Sequence, residues 1–265
     1  MHYVVCIKQV PDITNVKIDP ERGTLIREGI PSTTNPFDLY ALEAALELRD
    51  RHGGKVTAVT MGPPQAEEIL RDAVAMGVDD VLLLSDRAFA GADTLATSFV
   101  LATAAAKLEP TPSIIFTGKQ AIDGDTGQVG PGIARRLGWS QLTYAYELGD
   151  PTGETIEVVR LLEDGREVID AKLPVVISVV KDLNEPRLPS LRGLRRARQT
   201  EIPVWGFDDL EVEEEQVGLA GSPTQVVKVF NPSSQRIEGE LTEAAAHQAA
   251  ALLTKWIEDN RVLEA

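Results

Sequence analysis

Short apolar runs and longer segments of helical period alternate along the first half of the chain. Residues 3–7, 56–60, 81–84 and 114–117 are rich in Val, Ile and Leu on both faces, as strands buried inside a parallel sheet are. Between them, residues 36–51, 64–76 and 94–108 carry apolar side chains recurring three and four apart, which predicts amphipathic helices. Strand and helix in regular alternation predict an α/β fold with a doubly wound parallel sheet. Local chemistry supports the boundaries. Asn35 precedes Pro36 as a helix N-cap precedes a first-position proline, Asp93 is placed to cap the helix from Thr94, and Gly53-Gly54 and Gly77 supply stops.

Past Ile122 the pattern changes. A glycine-rich loop leads into a short helix over residues 129–137, after which strands follow one another. Residues 155–162 and 167–171 flank Glu163-Asp164-Gly165, whose Asp-Gly pair marks a hairpin, and residues 175–180 form one more apolar strand. Residues 207–215 are acidic and read as a solvated linker. Residues 242–263 read as an amphipathic terminal helix with Leu252, Leu253, Trp256 and Ile257 on one side. The expected organisation is therefore a nucleotide-binding body over residues 1–205, with a small β-hairpin excursion, followed by a linker and C-terminal helical arm over 206–265.

Composition narrows the function. The chain has 265 residues, 43% of them hydrophobic, and a formal net charge of −15, so it lacks the basic field used for non-specific binding to nucleic acid or an anionic membrane. A phosphate-bearing ligand must be held locally. Cys6 is the only cysteine, which excludes an intramolecular disulfide and a cysteine-cluster metal site. No apolar run reaches a membrane span, and a reducing, cytoplasmic setting fits. His2, His52 and His247 are expected at the surface. The chain has no dinucleotide fingerprint, phosphate-binding P-loop, zincin or hydrolase-elbow motif, and no catalytic side chain or metal ligand is assigned.

The richest candidate segment runs from Gly118 through Gln120, Ala121, Ile122, Asp123, Gly124, Asp125, Thr126, Gly127 and Gln128 to Val129. It follows a predicted parallel strand and opens a helix, where open α/β sheets bind ligands, and its glycines allow backbone N–H groups to approach an anion. Asp123 and Asp125 would repel a phosphate, so they are assigned to caps or ribose hydroxyls, leaving backbone N–H groups, Thr126 and Gln128 for phosphate or ring contacts. A tight structural turn explains the same residues. Asp93, Thr94 and Thr97 open a second helix and place two hydroxyls where a pyrophosphate would sit, though ordinary capping also accounts for them. For Asn35-Pro36-Phe37-Asp38, taken alone, capping is the simpler reading. Residues 183–203 reverse the sign of the chain, with Arg187, Arg192, Arg195, Arg196 and Arg198 against Glu185 and Glu201.

Taken together, Val5-Cys6-Ile7-Lys8-Gln9-Val10-Pro11, Asn35-Pro36-Phe37-Asp38, Ala75-Met76-Gly77, Gly118-Lys119-Gln120-Ala121-Ile122-Asp123 and Leu183-Asn184-Glu185-Pro186-Arg187 resemble, in order, the motifs of the electron transfer flavoprotein β subunit. The resemblance covers about the first 205 residues. It implies an electron-carrying subunit paired with an α subunit, and nucleotide contacts at Cys6, Asn35 to Asp38, Met61 and Gly118 to Val129. Residues 183–203 correspond to the family's recognition loop, in which Leu191, beside Arg192, matches the leucine that anchors a partner dehydrogenase. The stretch 123–131, Asp93 to Thr97 and Leu191-Arg192-Gly193 look like the bifurcating and nitrogen-fixation-associated branch. That likeness favours FAD over AMP and implies NADH as electron donor. It also implies a ferredoxin or flavodoxin as low-potential acceptor, and an acyl-CoA dehydrogenase-like protein or quinone reductase as the other. A plain electron-transfer subunit holding AMP, and a nucleotide-binding module without redox role, remain as alternatives.

Overall fold

A computed structural model of the chain describes residues 1–12, 31–227 and 246–259, together with the backbone of Lys17–Ile18 and Leu25–Ile26. Its strands are β1 His2–Cys6, β2 Gln9–Pro11, β3 Lys17–Ile18, β4 Leu25–Ile26, β5 Ser32–Thr34, β6 Lys55–Met61, β7 Asp80–Leu84, β8 Ile114–Gly118, β9 Ser140–Leu148, β10 Thr155–Leu161, β11 Arg166–Lys172, β12 Val175–Val179 and β13 Val204–Trp205. Its α-helices are α1 Pro36–His52, α2 Glu67–Met76, α3 Thr94–Lys107, α4 Val129–Leu137, α5 Leu191–Gln199, α6 Phe207–Leu210 and α7 Ala246–Asp259.

Nine strands form one sheet in the order β11-β10-β9-β12-β8-β1-β6-β7-β13. All neighbours pair in parallel except β10, which runs antiparallel to both β9 and β11. The sheet is doubly wound, as the sequence predicts. Alternation along β1 shows why: Tyr3 and Val5 face a core built with α1, α2 and Ala197 of α5, while Val4 and Cys6 face one built with α3 and α4. Helices on both faces demand the unbroken apolar runs from which the strands were read. The hairpin also forms, with Thr155 opposite Lys172 and Leu161 opposite Arg166, and it extends the sheet edge.

Several expectations change. Residues 207–215 are packed against the body: Leu210 is buried, as is Val217 just beyond it, and the Lys107 ammonium donates to the Asp209 carbonyl at 2.8 Å. The packed unit accordingly runs from Met1 to Gln225, since these apolar side chains outweigh the acidic character of the stretch. His2 is buried, its ring meeting the Pro110 carbonyl at 2.5 Å and the Thr57 hydroxyl at 2.8 Å. Burial holds its pKa below the usual histidine value. His52, 2.8 Å from Asp150, and His247 are both exposed as expected. On α7, taken by itself, Leu252, Leu253 and Trp256 are exposed and Ile257 is half-buried. Among the described residues no helix is long and apolar enough to cross a membrane.

Candidate functional site

The chain winds outward from β1 in both directions, through β6 and β7 on one side and β8 on the other. This topological switch point opens a crevice at the carboxyl ends of β1 and β8. Segments distant in sequence are knitted together there by buried side chains that accept from or donate to backbone. The Asp38 carboxylate accepts from the Lys8 N–H at 2.7 Å and from the Gly118 N–H at 3.1 Å. Asn35 donates its side-chain amide to the Gln120 carbonyl at 2.9 Å, and its side-chain oxygen accepts from the Ile122 N–H at 3.2 Å. Asn35 does occupy the N-cap position of α1, but its side chain makes no cap bond. It braces the glycine-rich loop instead, a long-range task that local helix chemistry does not reveal.

Asp38 is buried, and that burial pushes its pKa up to about 7 despite the hydrogen bonds it accepts. Cys6, at the end of β1, is buried too, and its thiol is raised to about 12 by desolvation and the nearby Asp38 charge, so it stays protonated and unreactive. Gly118 is required by close packing, because a Cβ there would stand 2.4 Å from the Asp38 Oδ1. Phe37 abuts the same glycine through its backbone, and Pro36 begins α1 with its side chain exposed. Met61 ends β6, the neighbour of β1, half-buried in the core on the α3 side.

In the loop itself, the two carboxylates are already occupied. Asp123 meets the Lys8 ammonium at 2.7 and 2.8 Å, and Asp125 accepts from the Gln120 side chain. Their partners neutralise or tie down the charges that would oppose a phosphate, so the donor set fits an anionic ligand. Lys8 is the residue sequence reasoning left out of the site; it lies in the first quoted motif, but a pair spanning 115 positions has no local signal. Asp125 and Gly127 both have left-handed backbone, with φ of 57° and 64°, a conformation natural to glycine and tolerated by aspartate. Gly124, by contrast, has open space where a Cβ would stand, so nothing within the chain demands glycine there. Ala121 and Ile122 are half-buried and Thr126 exposed, while Val129 begins α4 and packs into the core.

The start of α3 joins this loop. Asp93 caps the helix by accepting from the Leu95 and Ala96 N–H groups at 2.9 and 3.1 Å, and it also accepts from the Thr224 hydroxyl at 2.7 Å. These bonds outweigh the modest cost of burial and hold its carboxyl below the usual range. The Thr94 hydroxyl donates to the Gln128 side-chain oxygen at 2.7 Å, so the openings of α3 and α4 stand side by side. Thr97 lies one turn further along α3 and is half-buried.

The basic segment divides in two. Arg187 forks onto Glu43 at 2.9 Å and reaches Asp50 at 2.8 Å; Glu43 is only 4% exposed, and these partners raise the arginine further above its normal range. Arg196 bonds the Val74 and Val78 carbonyls at the end of α2. By contrast, Leu191 is 88% exposed at the first turn of α5, with Arg192, Arg195 and Arg198 exposed along the same helix. What the sequence presented as a loop thus contains a helix, capped by the Ser190 hydroxyl accepting from the Gly193 N–H at 2.9 Å.

Comparison with known proteins identifies the family. Residues 22–210 match the model of the electron transfer flavoprotein domain. The chain is 51% identical to Protein FixA of Azorhizobium caulinodans, over 89% of this chain and 86% of that protein. It is 46% identical to the electron transfer flavoprotein subunit beta of Clostridium acetobutylicum, over 99% and 100% respectively. Identity is 44% to the caffeyl-CoA reductase-Etf complex subunit CarD of Acetobacterium woodii, again over 99% and 100%. These likenesses span both the crevice and the basic segment, and with them the chain belongs to the electron transfer flavoprotein family, among its β subunits.

Proposed function

We propose that this chain pairs with an electron transfer flavoprotein α subunit and holds FAD in the β1/β8 crevice, as part of a complex that bifurcates electrons from NADH. The observation that carries the reading is the loop from Gly118 to Gln128. Its carboxylates are taken up by Lys8 and Gln120, and its far end is bonded to the start of α3 through Thr94. Two adjoining helix starts favour a ligand with more than one phosphate, which FAD has and AMP lacks. Thr94 and Thr97 would then serve the pyrophosphate, with Thr126 and the loop N–H groups beside them. The names of the relatives, which include FixA proteins and a subunit of a caffeyl-CoA reductase-Etf complex, support the same branch.

The flavin would supply the redox chemistry, taking two electrons from NADH and passing one to a low-potential ferredoxin or flavodoxin and one to the flavin of the α subunit. The chain's own residues bind and orient it, and its exposed Leu191 and Arg192 dock the acyl-CoA dehydrogenase-like or quinone reductase partner. The apolar side of α7, with Leu252, Leu253 and Trp256, rests against the α subunit.

Mass spectrometry and quantitation of nucleotide released from the purified α/β complex test the reading. Two FAD per heterodimer are expected; one FAD with one AMP would overturn it in favour of a plain electron-transfer role.

A further inference from the structure

Tyr144 interrupts β9 with a φ of 60°, a left-handed backbone in which a bulky aromatic residue is an outlier. The pairing of β9 shifts register across it against β12, between the Ile177–Leu142 and Val179–Ala145 pairs, and shifts again just beyond it against β10, between the Arg160–Ala145 and Val159–Glu147 pairs. Such bulges re-aim a side chain. The fold maintains this one: the Arg160 guanidinium donates to the Thr143 carbonyl at 2.8 Å and to the Thr143 hydroxyl at 2.9 Å, and is itself held by Glu167 at 2.9 Å. The re-aimed ring remains 41% exposed and lies 5.4 Å from the ammonium of Lys119, the second residue of the Gly118–Gln128 segment. Tyr144 is also level with the end of β8, since Ala145 pairs with Val179 and Val179 with Gly118.

We propose that Tyr144, with Lys119, is a specificity-determining contact of the crevice, a cationic and aromatic platform for the second ring system of an adenine dinucleotide. The proposal rests on the FAD reading above and adds to it the residues that tell FAD from AMP. From β8 to β9 is two strand spacings, about 10 Å. A mononucleotide seated in the β1/β8 crevice ends at its phosphate, while a dinucleotide extends far enough to bring its second ring over Tyr144. The tyrosine face supplies stacking and Lys119 supplies a positive charge beside it. Strained backbone held by a dedicated network is characteristic of ligand contacts.

The test uses the α/β complex depleted of nucleotide in this subunit and titrated separately with FAD and AMP. Tyr144→Ala should weaken FAD by about tenfold and leave AMP affinity unchanged, while Tyr144→Phe keeps wild-type values for both. Tyr144→Gly should show the same selective loss with the melting temperature within about 3 °C of wild type, because glycine adopts the left-handed backbone freely. FAD affinity unchanged in Tyr144→Ala, or FAD and AMP weakened equally, would overturn the proposal by making the bulge purely structural. If wild-type complex binds AMP but no FAD at this site, the FAD reading itself falls and takes the platform with it.

Discussion

The crevice and the basic segment both gather charged side chains, yet they use them in opposite ways. In the crevice, Asp38, Asn35, Asp123 and Asp125 are committed to groups of the protein itself, leaving backbone N–H groups and hydroxyls to meet a ligand. In the basic segment, Arg187 and Arg196 anchor the chain, while Arg192, Arg195 and Arg198 stay exposed around Leu191. Side chains that fix geometry are paired with groups of the protein itself, and those that would meet another molecule are not. Charge alone does not separate the two kinds; the presence of a partner within the chain does.

Substitutions at four positions would sharpen or break that division. The largest effect is expected for Arg187→Ala, which leaves Glu43 buried without its fork and should cost about 3 kcal/mol in a denaturant titration. A loss near that of an exposed arginine would place Arg187 with the docking group. Asp38→Ala should cost about 2 kcal/mol, since two buried N–H groups lose their acceptor and removal of a reluctant carboxylate offsets part of the loss. Its pH dependence has a definite sign. Because the folded pKa is raised to about 7, the proton-linked contribution of Asp38 is fully present below its unfolded value and is lost as pH rises through 7. Wild type should therefore lose stability relative to Asp38→Asn between about pH 4 and 7, and parallel stability profiles would show that Asp38 is not desolvated.

Gly124→Val comes next, because the chain leaves room for the new side chain. It should change the melting temperature little and lower nucleotide retention, as judged by released nucleotide per complex; full retention would put the ligand elsewhere. The smallest effect on stability belongs to Leu191→Ala, below about 0.5 kcal/mol for so exposed a side chain. It should nonetheless slow electron transfer to an acceptor dehydrogenase, more so at raised salt as the arginines are screened. Unchanged transfer rates would make α5 a structural helix.

The central parallel strands β1, β6, β7, β8 and β12 and helices α1 to α4 were legible because burial on both sheet faces imposes apolar runs. β9 was not, since its residues Ser140–Leu148 alternate irregularly between buried and exposed around the bulge at Tyr144. α5 was hidden by its arginines, which read as charge bias before helical period. At the crevice, the glycine-rich loop and the Asp93 cap were readable from local chemistry. The brace by Asn35, the Lys8 to Asp123 pair and the burial of Glu43 depend on contacts across tens of residues and leave no trace in spacing.

The position of β1 has a consequence for how the chain acquires its shape. It comes first in sequence yet lies in the interior of the sheet, with Tyr3 paired to Val56 on one side and to Ile114 on the other. Its second edge cannot be satisfied until residues beyond Ile114 have been made, and the crevice beside it cannot close until Gly118 reaches Asp38. Such long-range closure slows folding and leaves an apolar strand edge open meanwhile. The crevice is thus a late event in folding, assembled only after the centre of the sheet has been completed from strands more than a hundred residues apart.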